Sequence, residues 1–162
     1  MKLNNKFVLY FFIAVILLLI WTFYGDNLIP VHTDDIARLT DNWINEVTVN
    51  HDPDAIYKLF CSDGNLMGTV SQVKRTGLDI KGYFDYFAKL PGIKVFEKKY
   101  NISQVTKDVF INTAFITWYW NDLDKPITAR MTFVFRNNCI FQLHSSKLPD
   151  VNEDLLEISN LK

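Results

Sequence analysis

The sequence is poor in the residues from which metal centres and nucleic-acid surfaces are built. It has only two cysteines, Cys61 and Cys139, far apart and without a CxxC partner, which argues against zinc and iron–sulfur sites. Its three histidines also lack metal-ligand spacing, so we expect no metal and no cofactor. The net charge is −1, which leaves no basic footprint for nucleic acid.

What the chain has instead is one long apolar run near its start. Phe7–Tyr24 carries no charge, and at about 1.5 Å per residue a helix of this length covers about 27 Å, close to the thickness of a hydrocarbon core. The run ends in large aromatic residues rather than in a small-x-small cleavage site. We therefore predict an uncleaved signal-anchor helix over residues 1–25, followed by a linker over residues 26–33; a cleaved signal peptide is the rival interpretation.

The charges around this run predict its orientation. Lys2 and Lys6 precede it, whereas Asp26, Asp34 and Asp35 follow it. By the positive-inside rule, the N-terminus is then cytoplasmic and the rest of the chain lies on the non-cytoplasmic side of a membrane.

After the linker, the spacing of apolar residues predicts helices. Thr33 can cap a first helix with an apolar face that includes Trp43, and Asp52-Pro53 is a start signal for a second. Asp63-Gly64 predicts a turn between two short strands, about Lys58–Cys61 and Asn65–Thr69. Thr76-Gly77-Leu78-Asp79 resembles a capping box, and the helix it opens ends at Leu90-Pro91-Gly92.

From residue 95 onward the pattern alternates, as in strands. The four predicted strands are Val95–Val105, Val109–Trp120, Ile127–Arg136 and Cys139–Ser146. Short connections between them predict an antiparallel meander, and helices before strands indicate an α+β fold. A strongly curved sheet with helices on one face would enclose a cone-shaped cavity, and the aromatic content of 15% suits its walls.

Several stretches of the chain carry a family resemblance. They are Leu59–Ser71, Arg75–Gly77, the helix with Ile80, Tyr83, Phe84 and Phe87, Leu90–Gly92, Ala129–Arg136 and His144–Pro149. Together they resemble the SnoaL-like proteins of the nuclear-transport-factor-2-like superfamily, and above all the branch similar to the association domain of calcium/calmodulin-dependent protein kinase II. The resemblance implies a SnoaL-like domain over residues 34–149 with a cystatin-like roll, a C-terminal tail over residues 150–162, and a homodimer or larger homo-oligomer.

Six residues are candidates for lining a ligand pocket. They are Arg130, His144, Arg75, Trp43, Tyr83 and Trp118. With Asn137-Asn138 as a two-residue turn, Arg130 stands opposite Ser145, and a charged side chain in an apolar strand needs either an anionic ligand or an internal partner. His144 then falls on the other face, opposite Met131, whereas a one-residue slip in register would put it in the cavity as a candidate general acid or base. The branch often has two histidines near the last strand, whereas here Gln142 and Leu143 precede a single one.

Two functions remain open at this point. We predict a membrane-anchored domain that binds a small ligand or associates with itself. The alternative is an isomerase, cyclase or hydrolase using general acid–base chemistry in the cone pocket, because this superfold carries both kinds of function. One bridge between Cys61 and Cys139 is allowed outside the cytoplasm, but both positions suit apolar packing, so we expect free thiols.

Overall fold

The computed structural model describes residue 15, residues 33–69 and residues 73–148. Helix α1, Thr33–Asn45, begins the described domain and continues as a π-helical turn over Glu46–Asn50. Its predicted apolar face is confirmed, since Trp43, Ile44 and Val47 are buried. The predicted membrane anchor lies outside the described residues, and within them no helix is long and apolar enough to cross a bilayer.

The second helix starts as its sequence predicts. In α2, Pro53–Lys58, the Asp52 carboxylate accepts hydrogen bonds from the backbone N–H groups of Asp54 and Ala55, at 2.9 and 3.0 Å. Pro53 occupies the first helical position, where its missing N–H costs nothing.

The third helix starts differently from the prediction. Helix α3 spans Leu78–Phe87, and the residue that caps it is Gly77, at φ +53°. No side chain caps the helix, so the predicted capping box is wrong. The reason is that Thr76 pairs with Asn65 as the last residue of strand β2, Lys74–Thr76.

The first strand is longer than predicted. Strand β1 runs unbroken over Phe60–Met67, and Asp63-Gly64 lies inside it rather than in a turn between two strands. The turn signal instead marks an irregularity in pairing: Phe60 pairs with Ile140, whereas Asn65 pairs with Gln142. A Cβ on Gly64 would meet the Ile140 carbonyl oxygen at 2.8 Å, so this bulge needs glycine.

The four later strands match the prediction to within one or two residues. They are β3 (Lys94–Thr106), β4 (Val109–Tyr119), β5 (Ile127–Arg136) and β6 (Cys139–Lys147). The curved six-stranded sheet has the order β2-β1-β6-β5-β4-β3. It is mixed, not wholly antiparallel as predicted, because β1 runs parallel to β6.

This parallel pairing also corrects the prediction about the cysteines. Because Phe60 pairs with Ile140, the neighbouring residues Cys61 and Cys139 meet with their Cα atoms 5.1 Å apart and form a disulfide. The expectation of free thiols is therefore wrong. Reasoning from apolar packing alone missed the long-range strand pairing that brings the two residues together.

The register between β5 and β6 differs from the predicted one by one residue. Asn137 and Asn138 do form the turn, with φ of 50° and 63°. An irregularity after Val134 leaves Phe141 without a partner on β5, and Arg130 consequently pairs with Ser146. Arg130 lies exposed on the outer face of the sheet, since it alternates with the buried residues Ala129 and Met131.

The same shift moves two neighbouring residues of β6. Ser145 pairs with Met131 on the inner, buried face, whereas His144 pairs with Thr132 and is exposed on the outer face. The core lies on the inner face, where the Trp43 ring makes edge-to-face contacts with Phe84, Trp118 and Phe133 at 5.2–6.0 Å between ring centres.

Candidate functional site

An open cavity of about 650 Å³ lies between helix α3 and the inner face of the sheet. Aromatic rings make most of its wall: Trp43, Tyr83, Phe84, Tyr86, Phe87, Trp118 and Trp120. Aliphatic side chains, among them Leu66, Met131 and Leu143, line the rest. A space of this size and character is typical of sites for small apolar molecules.

Trp43 is the one wall residue with an unmet hydrogen-bonding demand. It lines the cavity and is 1% exposed, yet its indole N–H has no partner among the described residues. A buried donor left without an acceptor costs about 1–3 kcal/mol. The other such atom, Oδ1 of Asn112, belongs to an amide whose Nδ2 donates to Thr40. The indole nitrogen itself has almost no accessible surface, so it is the ring of Trp43, and not its N–H, that faces the cavity.

Two hydroxyl groups provide a second polar spot in the wall. The side-chain oxygens of Thr69 and Ser145 are 2.7 Å apart, and Ser145 is only 6% exposed. Thr69 follows β1, and Ser145 lies on the neighbouring strand β6. Because each hydroxyl can both donate and accept, the pair has capacity left for a third group.

Arg75 and Tyr83 form the polar part of the cavity mouth. The Arg75 guanidinium carbon lies 5.1 Å from the centre of the Tyr83 ring. Burial raises the pKa of the Tyr83 hydroxyl, and the nearby Arg75 charge partly opposes that rise. Tyr83 in turn packs on Gly68, where an added Cβ would lie 2.7 Å from the ring. Gly68 thus allows the ring to take its place.

Carboxylates and histidines are scarce around the cavity. Asp79, which is exposed, is the single acidic residue among the described lining residues, and no histidine is among them. Within the described part of the chain, no group of three His, Cys, Asp or Glu side chains could hold a metal ion.

No family model and no curated protein matches this chain. Solved structures do. A protein from Xanthomonas campestris described as a calcium/calmodulin dependent protein kinase II association domain matches with a TM-score of 0.63 at 25% identity, over 74% of this chain and 90% of its own. A domain of unknown function with a cystatin-like fold from Nostoc punctiforme matches with a TM-score of 0.64 at 10% identity, over 80% and 86%.

A third similar structure carries the name of an enzyme. A protein from Parabacteroides distasonis described as a ketosteroid isomerase matches with a TM-score of 0.50 at 21% identity, over 72% of this chain and 88% of its own. The domain has a nuclear-transport-factor-2-like fold. The resemblance predicted from the sequence is thereby confirmed at the level of the fold.

The nuclear-transport-factor-2-like domain brings together four of the six candidate residues. Trp43, Tyr83, Trp118 and Arg75 line the cavity. Arg130 does not line it because it alternates with the buried residues Ala129 and Met131 along β5, and His144 does not because the register shift pairs it with Thr132 on the outer face. The prediction that Arg130 points into the cone is therefore wrong.

Sequence reasoning also missed lining residues. Thr69 and Ser145 gave no motif, and Ser145 was assigned to the face of Arg130. The alternation of β6 places Ser145 on the face of Leu143, an apolar residue, once the bulge at Phe141 is known. Tyr86 and Trp120 also line the cavity, but in the sequence nothing distinguishes them from aromatic residues that simply pack in the core.

Proposed function

We propose that this domain binds a small, largely apolar ligand with a hydrogen-bond acceptor in the cavity under α3. The observation that carries the proposal is the ring-lined apolar cavity of about 650 Å³, with Arg75 and the hydroxyl pair of Thr69 and Ser145 as its polar groups. A ligand carbonyl or carboxylate can accept a hydrogen bond from these donors. Aromatic walls favour a flat or ring-bearing apolar body.

Arg75 supports an anionic or strongly accepting end on the ligand. It is the one cationic side chain among the described lining residues, and it is only half-buried, at the mouth of the cavity. An anionic group at Arg75 would keep partial contact with water, so the charge need not be fully desolvated. The expectation of an anion contact is thus transferred from Arg130 to Arg75.

Ligand binding is better supported than catalysis. General acid–base chemistry needs a titratable group within hydrogen-bond reach of the reacting atom. Asp79 is exposed, and the remaining titratable groups of the described lining are Arg75 and the tyrosines. The enzyme alternative therefore depends on Tyr83 and Tyr86, and the fold is shared by proteins of several functions.

Membrane anchoring is part of the proposal. The uncharged run Phe7–Tyr24 supports it, and the Cys61–Cys139 disulfide supports a position in an oxidising space beyond the membrane. Carbonate extraction of membranes tests the anchor: we expect the intact chain in the pellet, and a mature form starting near Gly25 would contradict it.

Self-association is the second expectation that follows from the resemblance. The outer face of the sheet, where Phe115, Arg130 and His144 are exposed, is the surface we propose for it. Sedimentation of the full chain in detergent tests it, and a monomer at all concentrations would contradict it.

The ligand proposal can be tested on the indole N–H signals of the full chain in zwitterionic detergent. We expect 2-naphthoate, 2-acetylnaphthalene and naphthalene all to shift the Trp43 signal by nuclear magnetic resonance, because the ring of Trp43 lines the cavity, and the two probes with an acceptor to bind more tightly than naphthalene. Arg75→Met should weaken binding of 2-naphthoate and leave 2-acetylnaphthalene nearly unchanged. Arg130→Met is the matched control and should change neither. An unmoved Trp43 signal with all three probes would refute the proposal.

A further inference from the structure

We propose that the mouth of the cavity docks on the surface of a lipid bilayer, so that an apolar ligand enters from the membrane and not from water. This inference rests on the proposed ligand-binding function. It adds a docking surface, which we call the rim, made of Val73, Leu78 and Tyr86.

The rim is apolar and strongly exposed. Val73, Leu78 and Tyr86 are 63%, 73% and 73% exposed, whereas Ile80 and Phe84 in the same stretch are 1% exposed. Val73 and Tyr86 also line the cavity, which places them at its opening. Exposing apolar surface to water is unfavourable, and a cluster of it beside a pocket marks an interaction site.

Helical spacing extends the rim along α3. Leu78 and Tyr86 lie four residues on either side of Gly82, another lining residue, so the three share one face of the helix. Gly82 has open space where a Cβ would lie. The exposed face of α3 is therefore a shallow apolar stripe that leads into the cavity.

The sequence before the domain indicates which apolar surface covers the rim. Eight residues, 25–32, separate the uncharged run Phe7–Tyr24 from Thr33, where the described domain begins. Fully extended, eight residues reach about 28 Å, which is shorter than the 11-residue strand β4 at about 3.3 Å per residue. If a bilayer holds the run, a linker this short keeps the domain at the bilayer surface, where the rim can meet lipid.

The composition of the rim suits a lipid interface. Tyr86 combines an apolar ring with a hydroxyl, the kind of side chain found at the level of headgroups. Lys74 and Arg75 flank Val73, but Asp79 and Asp85 lie on α3, so the local charge is mixed. We therefore expect the rim to bind the bilayer mainly through apolar contact and less through attraction to anionic lipids.

Site-specific photo-crosslinking of the full chain tests the docking. The chain is reconstituted into vesicles of phosphatidylcholine and phosphatidylglycerol with benzoylphenylalanine replacing Tyr86, or replacing Val105 as a control. Val105 is 57% exposed and lies at the opposite end of the sheet, beside the turn between β3 and β4. We expect at least tenfold more lipid adduct from position 86, measured by mass spectrometry.

Leu78→Glu should then remove most of the lipid adduct at position 86, whereas Val105→Glu should not. Both residues are well exposed, so the fold tolerates either change. Equal adducts at positions 86 and 105 would overturn docking, and protein–protein adducts at position 86 would replace the bilayer with a second copy of the chain. The Trp43 titration in detergent is independent of docking, so a failure of the rim and a failure of the cavity are distinguishable.

Discussion

The two ends of the curved sheet are built on different principles. At one end, which we call the disulfide end, Cys61 is bonded to Cys139, and Arg136 both pairs with Asp63 and lies 4.2 Å over the Phe141 ring. At the other, the cavity end, Trp43 has a donor without a partner beside about 650 Å³ of open space. A marginally stable domain can leave one end unfilled only if contacts elsewhere compensate. Stability and binding are therefore expected to respond to different residues.

The largest effect should come from breaking the disulfide end. Cys61 and Cys139 are 78 residues apart, and releasing a loop of that length costs about 4.5 kcal/mol in the chain-entropy account. We expect Cys61→Ala combined with Cys139→Ala to lower the free energy of unfolding by that amount in denaturant titrations. Binding of 2-naphthoate by the folded fraction should persist.

Reduction of the native chain is the matched control for this prediction. It should lower stability by the same amount as the double substitution and change nothing further in the double variant. Two titratable thiols in the untreated protein would contradict the disulfide. Loss of probe binding with the fold intact would show that the two ends are coupled.

A smaller effect is expected at the cavity end from Gly68→Ala. The new Cβ would lie 2.7 Å from the Tyr83 ring, so the ring must move, at a cost of about 1–3 kcal/mol. Because Tyr83 lines the cavity under Arg75, probe affinity should fall as well. Denaturant titration and the Trp43 shift measure the two effects.

Gly82→Ala is the same chemical change without the clash. Nothing lies within 4 Å of the added methyl group, and alanine favours a helix over glycine by about 0.5–1 kcal/mol, so this variant should be more stable. If Gly68→Ala leaves both stability and binding intact, the close contact with Tyr83 does not position the ring.

Local and long-range features of this fold differed in how well the sequence predicted them. The Asp52-Pro53 start, the Asn137-Asn138 turn and the apolar face with Trp43 all depend on neighbours in sequence, and all are confirmed. The pairing of β1 with β6 is not local, and the disulfide depends on it. No pattern in the sequence predicted the pairing of β1 with β6.

In the candidate site, the wrong predictions on strand β6 trace to a single residue, Phe141, which has no partner on β5. The unpaired Phe141 puts Ser145 opposite Met131 on the inner face and His144 opposite Thr132 on the outer one, because alternation in a strand has a period of two. Arg130 lies on the outer face because it alternates with the buried residues of its own strand. Arg75, Tyr83 and the tryptophans escaped this error, since none of them depends on the register between β5 and β6. Aromatic content predicted the cavity wall well, and the small polar residues Thr69 and Ser145 had no signal of their own.

The ion pair at the disulfide end should give a modest, pH-dependent effect. The hydrogen bond and charge of Arg136 hold the pKa of Asp63 below its ordinary value of 3.8. A carboxyl with a lowered pKa in the folded state adds stability above the unfolded-state pKa and loses it as the pH falls through the folded-state pKa. Asp63→Asn should therefore destabilise the domain at neutral pH and match the parent in strong acid.

Because both partners are exposed, we expect this effect to be well below that of the disulfide. Stability curves of the two proteins from neutral pH into acid measure it, and Asp122→Asn, in the exposed loop before β5, is the control. A difference that stays constant down to strong acid would mean that the Arg136 pair is not its source.

The smallest effect is expected from Arg130→Met. This variant tests whether the outer face of the sheet contributes to stability or to probe binding. Arg130 is exposed and pairs with Ser146 in the sheet, so removing its charge leaves no buried carboxylate behind. Surface changes of this kind usually alter stability by no more than about 0.5 kcal/mol, and we expect that limit to hold here. Affinity for 2-naphthoate should also be unchanged, because the side chain does not line the cavity.

A loss of about 3 kcal/mol or more in the free energy of unfolding would reveal that Arg130 belongs to an internal ion pair. Loss of probe binding would instead mean that Arg130 contributes to the ligand site and that the inner face of β5 is not the one that carries Met131. A changed sedimentation coefficient at unchanged stability would assign Arg130 to contact between copies of the chain.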